Sequence, residues 1–286
     1  MVISDLGLYG PESVTWRIHA DPSFAVGGIR ALLLQALHPV AMAGVSANSG
    51  YRDDPWGRLQ RTTEYVAITT FGTAAAAEEL ASKVRRVHRR LTAVDPDSGA
   101  VHPVDDPSLL LWVHCCEVDS FLYAARRGGL RLSPDEADRY VAEQVRQARL
   151  IGLTPDAVDV PRTTAELAGY FAEIRPILRA TAPAYEGLRL IGVPPMRWWV
   201  RWATPAVPSW GALVAMGFGL LPGWAKQLYT HLPVLPGSEL TATASLRALR
   251  AAVLALPAAV REGPELKAAR ARVAGIPIRR LDALPA

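Results

Sequence analysis

The chain has 286 residues, 50% hydrophobic and 20% charged, which excludes a disordered segment and leaves enough apolar material for a substantial core. Its net charge of +4 comes from arginines spread along the chain, with no basic run interleaved with aromatics, so nucleic acid is not expected as a partner. Two adjacent cysteines, Cys115 and Cys116, cannot form a disulfide framework, and residues 1–10 lack a basic start and a long apolar run; both point to a reducing, cytoplasmic setting.

In chain order, an apolar helical run over residues 29–37 ends at His38-Pro39. Asp54-Pro55 gives an N-cap followed by proline at the first helical position, and Gly72 suits the exit of that helix. Thr73 caps the next helix, predicted to run through Leu91. Asp106-Pro107 repeats the Asp-Pro start, and Gly128-Gly129 closes a helix apolar nearly all round. Ser133-Pro134-Asp135-Glu136 reads as a capping box for a helix stopping near Gly152, and Thr163 with Glu166 offers another. Two further helices are predicted over residues 238–255 and 264–274. No run shows strand alternation between hairpin turns. The expectation is an all-α protein, a single domain with a core over about residues 15–190 and a helical extension over 191–286.

From Trp202 to Ala225 no residue is charged, roughly the length of a membrane span, but prolines and glycines interrupt it repeatedly. A true span is the minor reading; the main ones are buried core, or contact with a membrane surface aided by Trp198, Trp199, Trp202 and Trp210 beside Arg197 and Arg201.

Several residues are placed for chemistry. Arg58, Thr62, Tyr65 and Thr69 share one face of the helix opened by Pro55; the plain reading is the edge of an amphipathic helix. One helix later, Leu80, Val84, Val87 and Leu91 form an apolar stripe that includes His88, flanked by Lys83, Arg85, Arg86, Arg89 and Arg90. A histidine there is either a satisfied core residue or an iron ligand, and the guanidinium groups are suited to carboxylates. In the most apolar helix, His114 and Glu117 lie one turn apart, in reach of a mutual hydrogen bond; orienting a ligand, relaying a proton and pinning the core are equally open. His38 either faces a cofactor pocket or caps the last carbonyls of the helix it closes. The Glu-x-x-His pairs of a di-iron bundle, Cys-x-x-Cys, His-Glu-x-x-His and a Cys-x-x-Cys-His haem attachment are all missing, so any haem is held non-covalently.

Four motifs together, RALLLQALHP over residues 30–39, RLQRT over 58–62, VRRVH over 84–88 and DPSLLLWVH over 106–114, resemble the MpaB-type and rubber-oxygenase (latex-clearing) catalytic domain. The likeness runs over about residues 15–175, with a weaker one over 220–273. It implies a helical, globin-like core around a b-type haem, dioxygen chemistry at the iron, and a hydrophobic small-molecule substrate such as a prenyl or unsaturated lipid. Carried over by motif, His88 is the axial iron ligand, and Arg58 and Thr62 bind the haem. Arg61 stands where latex-clearing members can place a distal lysine, and an arginine should not ligate iron at neutral pH. His38 and His114 are the other candidates for the distal side. A haem- or lipid-binding protein without turnover, at the membrane surface, is the alternative the motifs leave.

Overall fold

The computed structural model describes residues 5–231 and 237–274. The far end of the expected extension, 275–286, and the first four residues of the N-terminal stretch lie outside the described residues.

The protein is all-α. Its helices are α1 Val14–His19, α2 Phe24–Gln35, α3 Pro39–Asn48, α4 Pro55–Phe71 and α5 Ala74–His88. After a small hairpin, β1 Thr92–Val94 and β2 Val101–Pro103, come α6 Pro107–Gly128, α7 Pro134–Leu150, α8 Thr164–Ile174 with a 3-10 turn at Arg175–Ile177, and α9 Ala182–Gly192. The rest are α10 Trp198–Ala203, α11 Ala206–Gly219, α12 Gly223–Thr230, α13 Ser238–Leu254, α14 Ala258–Arg261 and α15 Pro264–Val273.

The caps explain where these helices begin. Asp54 accepts from the Gly57 N–H and Asp106 from the Ser108 N–H, both at 2.8 Å, each followed by proline at the first position. Thr73 accepts from the Ala76 N–H, and Ser133 and Glu136 form the reciprocal box. Such caps are worth about 1 kcal/mol each. Three boundaries differ from expectation. The first apolar helix starts earlier and stops at Gln35; α5 stops at His88 rather than Leu91; and residues 92–103, predicted to hold no strand, form an antiparallel hairpin pairing Ala93 with His102. Its turn is built on Asp95, whose carboxylate accepts from the Asp97 N–H and the Ser98 hydroxyl.

Helix α6 is the axis of the fold, with Trp112 and Cys116 fully buried. The Trp112 indole donates to the Gln35 carbonyl at 3.0 Å, tying α6 to the end of α2. Helix α2 lies between α6 and α11, and glycines permit the approach. A Cβ on Gly27 would sit 3.0 Å from the Phe121 ring, and one on Gly217 would sit 2.6 Å from Ile29. Arg30 is buried at the same junction, donating to the Leu220 carbonyl at 2.9 Å and the Ser120 hydroxyl at 2.7 Å while pairing with Asp119 at 2.8 Å. A buried guanidinium with its donors used in this way joins three helices without an orphaned charge.

The uncharged stretch from Trp202 to Ala225 divides. Val214, Leu221 and Ala225 belong to the main hydrophobic core, whereas Trp202, like Trp198 and Trp199 just before the stretch, is exposed. Helices α11 and α12 bend by 115° at their junction, and no single helix among the described residues is long and apolar enough to cross a membrane.

Candidate functional site

A cavity of about 170 Å³ opens between α2, α3, α4, α6 and α9, with Trp210 of α11 at its edge. Its wall is mainly apolar, including Leu33, Ala36, Met42, Leu59 and Leu188. Arg58 and Thr62, one turn apart on α4, are among the few polar groups that reach it. The two side chains are bonded, Arg58 donating to Thr62 Oγ1, which in turn donates to the Arg58 carbonyl at 2.9 Å. Arg58 is mostly buried, and among the described residues no carboxylate forms an ion pair with it. Burial, helped by the positive charge of Arg61, holds its guanidinium below the usual arginine range, against a weaker pull from Glu117.

His88 ends α5 and is half-buried. It falls in register with Ala77, Ala81 and Val84 on the packed face. Val87, expected on that stripe, is 54% exposed, because an i−1 neighbour of an inward residue points about 100° away. The buried Nδ1 of His88 has no hydrogen-bond partner. Burial first, then the charge of Arg58, lowers the proton affinity of the ring, so the imidazole is neutral. The other basic residues around His88 turn elsewhere. Arg85 binds the Leu150 carbonyl and Glu78, Lys83 pairs with Glu79 at 2.7 Å, and Arg86, Arg89 and Arg90 are exposed. Arg58, from the neighbouring helix, is the guanidinium whose charge acts on His88.

His88 is not among the residues that line the cavity, and the remaining candidates also stand apart from its wall. His38 caps the helix after it, not the one before, since its Nδ1 accepts from the Ala41 N–H at 3.3 Å. Its ring lies 6.0 Å from that of Trp112. Arg61 is largely solvent-facing and pairs with Asp54 at 3.1 Å. His114 is buried and faces a second, polar chamber of about 10 Å³ together with Glu117, His19, Thr70 and Gln147. No hydrogen bond joins His114 to Glu117. Burial holds His114 down to about 4 and pushes Glu117 up to about 7, the latter opposed by Gln35 and Arg58.

Two participants were missed by sequence reasoning. Gln35 lines the apolar cavity and donates to Glu117 Oε1 at 3.3 Å, bridging the two spaces. A lone amide in the run RALLLQALHP was the available signal. His19 has both ring nitrogens engaged, Nδ1 lying 2.8 Å from Thr70 Oγ1 and Nε2 3.1 Å from Tyr140 Oη. Nothing in a six-residue helix marks it.

The family model described as "ER-bound oxygenase mpaB/B'/Rubber oxygenase, catalytic domain" matches residues 16–258. The chain belongs to this family. No curated protein and no solved structure matches it. The protein is therefore an oxygenase-type catalytic domain, and the family match takes in α10, α11, α12 and α13, beyond the four motifs near the N-terminus.

Proposed function

We propose that this oxygenase domain is a b-type haem enzyme acting on an apolar substrate in the cavity beside Arg58. The observation that carries the reading is a pair of unfinished groups: a mostly buried guanidinium without a carboxylate, next to a neutral imidazole with an orphaned buried nitrogen. A haem would complete both. Its propionate supplies the carboxylate that a buried arginine lacks, and its iron takes one neutral imidazole from the protein. The porphyrin brings its own four nitrogens, which suits a chain whose described residues gather no group of three His, Cys, Asp or Glu around a point. When bound, haem would supply a redox-active iron for dioxygen chemistry on the substrate.

The chain's own residues do the rest. Arg58 holds the anionic edge of the cofactor, and Thr62, bonded to Arg58, fixes the guanidinium's rotamer. The apolar wall excludes water and selects a hydrophobic substrate of the prenyl or unsaturated-lipid class. Glu117, with a proton affinity near neutrality, can hold or release a proton at Oε2 while Oε1 accepts from Gln35, one residue from the cavity. His38 and His114 serve as packed polar groups in this reading, with His114 on the same chamber as Glu117.

The test is an absorption spectrum of protein expressed with a haem precursor, recorded before and after dithionite. We expect a Soret band with reduced α and β bands, lost in His88→Ala while circular dichroism is unchanged. Absence of a Soret band after haemin reconstitution would overturn the proposal. A second reading, cofactor or lipid binding without turnover, is favoured by Arg61, which lies outside the cavity and is engaged by Asp54. Oxygen consumption with an unsaturated lipid separates the two, since a binder consumes none above the protein-free rate.

A further inference from the structure

We infer that α10 and its flanks form a docking surface for an anionic lipid bilayer, set at the lip of the apolar cavity. Trp198 is 76% exposed and Trp202 81% exposed, with Trp199 and Val193 beside them also exposed. Helical spacing puts the three tryptophans on one side of α10 and Arg197 and Arg201 on the adjoining side. From Glu186 to Glu239 the chain contains no acidic residue between those two, while Arg189, Arg197 and Arg201 are all exposed. Indole and guanidinium side by side with no carboxylate is the chemistry of the headgroup region. There tryptophan rests with its ring in the apolar boundary and its N–H toward polar groups, and arginine meets phosphate.

Three of the molecule's five other tryptophans sharpen the contrast, and the remaining two, Trp16 and Trp224, pack against apolar clusters. The indoles of Trp56, Trp112 and Trp210 donate to the backbone carbonyls of Pro195, Gln35 and Ile191, at 2.7, 3.0 and 2.6 Å. Those of Trp198, Trp199 and Trp202 donate to nothing among the described residues. The surface is also continuous with the cavity. Ile191, Pro194, Trp56 and Trp210 belong to its lining, the rings of Trp56 and Trp210 pack edge to face at 5.0 Å, and α10 starts four residues after Pro194. A lipid-soluble compound can pass from the bilayer into the cavity without crossing water. That route rests on the cavity being the substrate site; the docking itself does not.

The test is flotation of the full chain with phosphatidylcholine vesicles containing phosphatidylglycerol. We expect co-flotation, reduced by about tenfold or more in Trp198→Ala/Trp202→Ala, a variant whose exposed substitutions leave the helical spectrum intact. Arg197→Gln/Arg201→Gln should weaken binding to the anionic vesicles and leave the weak binding to neutral ones unchanged, and salt should act in the same direction. His88→Ala should float like the parent, which keeps this outcome separate from the cofactor proposal. Vesicle binding that is absent, or unaffected by the tryptophan variant, overturns the inference. So does a result in which the tryptophans instead hold two copies together by light scattering without lipid binding.

Discussion

Helices α4 and α6 each contribute to two internal spaces. Toward α2, α3 and α9 they give Arg58, Leu59, Thr62 and Val113 to the apolar cavity of about 170 Å³. Toward α1 and α7 they give Val66, Thr70, His114 and Glu117 to the polar chamber of about 10 Å³, which is about the size of one water molecule. Two histidines differ in the same way, one lining the small chamber and the other near Arg58 but off the cavity wall. His19, on the small chamber, has both nitrogens engaged and packs among Phe24, Phe121 and Tyr140. His88, beside Arg58, keeps a buried nitrogen without a partner. A histidine with both nitrogens engaged is completed by its own fold, whereas an orphaned buried nitrogen carries a cost that, on the proposed reading, a bound cofactor would offset.

Exchanging each histidine for alanine tests that contrast most strongly. His19→Ala removes a ring from a filled cluster and strands the hydroxyls of Thr70 and Tyr140, a loss of roughly 3–5 kcal/mol. For a domain of this size that lowers the melting temperature by about 10 °C. His88→Ala, at a half-buried helix end, should cost the cofactor-free protein under about 1 kcal/mol and abolish haem absorption. Thermal scans of the two apo variants decide it: equal losses would erase the distinction between a completed and an open histidine.

Acidity separates the spaces next. Glu117 has its proton affinity raised from 4.5 to about 7 by burial. The folded state therefore binds the proton more tightly, and this stabilisation is complete below about pH 4.5 and lost as pH rises through 7, roughly 3 kcal/mol in all. His19 and His114 act oppositely. Burial lowers them from 6.5 to about 3 and about 4, so their contribution is present above pH 6.5 and is lost on acidification. Stability should peak at mildly acidic pH and fall on both sides. Glu117→Gln should remove the fall above about pH 6.5 and steepen the rise below it, read from urea unfolding between pH 5 and 8; an unchanged profile would assign that fall to another group.

Much of the fold was legible because its signals are local. Asp54-Pro55, Thr73, Asp106-Pro107 and Ser133 with Glu136 all cap helices where the residues said they would. The hairpin was missed because three-residue strands are too short to show alternation, although Asp95-Pro96-Asp97-Ser98-Gly99 is turn chemistry. At the site, α4 periodicity placed Arg58 and Thr62 together, and His88 was rightly set on the inward face of α5. Which arginine accompanies His88 was not readable. The abundant neighbours on α5 are exposed or paired, and the relevant guanidinium arrives from α4 through tertiary packing that no one-dimensional spacing encodes. The same holds for His38, where a ring between two helices caps whichever one its backbone angle faces.

A smaller effect is expected at Arg58 in the empty protein. Replacing it by methionine removes a buried charge that lacks a carboxylate, and Thr62 keeps its bond to the backbone of residue 58. The cofactor-free variant should be more stable by about 1 kcal/mol while retaining haem less well. Loss of stability together with unchanged haem retention would mean that the guanidinium serves the fold and not a bound carboxylate.

The least perturbing change addresses the wall between the spaces. Gln35 Nε2 reaches both the Val113 carbonyl and Glu117 Oε1, each at 3.3 Å. The bond to Glu117 favours the carboxylate, since an N–H donor stabilises the charged form. Gln35→Met keeps the side chain's length and apolar contacts, removes that donor, and should cost under about 1 kcal/mol at pH 5, where Glu117 is protonated. At pH 8 the penalty should be larger, because the carboxylate would then be buried with one fewer donor, and the alkaline limb of the stability profile should move to higher pH. If both limbs match the parent, the two chambers are electrostatically independent and Gln35 belongs to the cavity wall alone. If the limb moves, the proton on Glu117 responds to what occupies the cavity on the other side of a single amide.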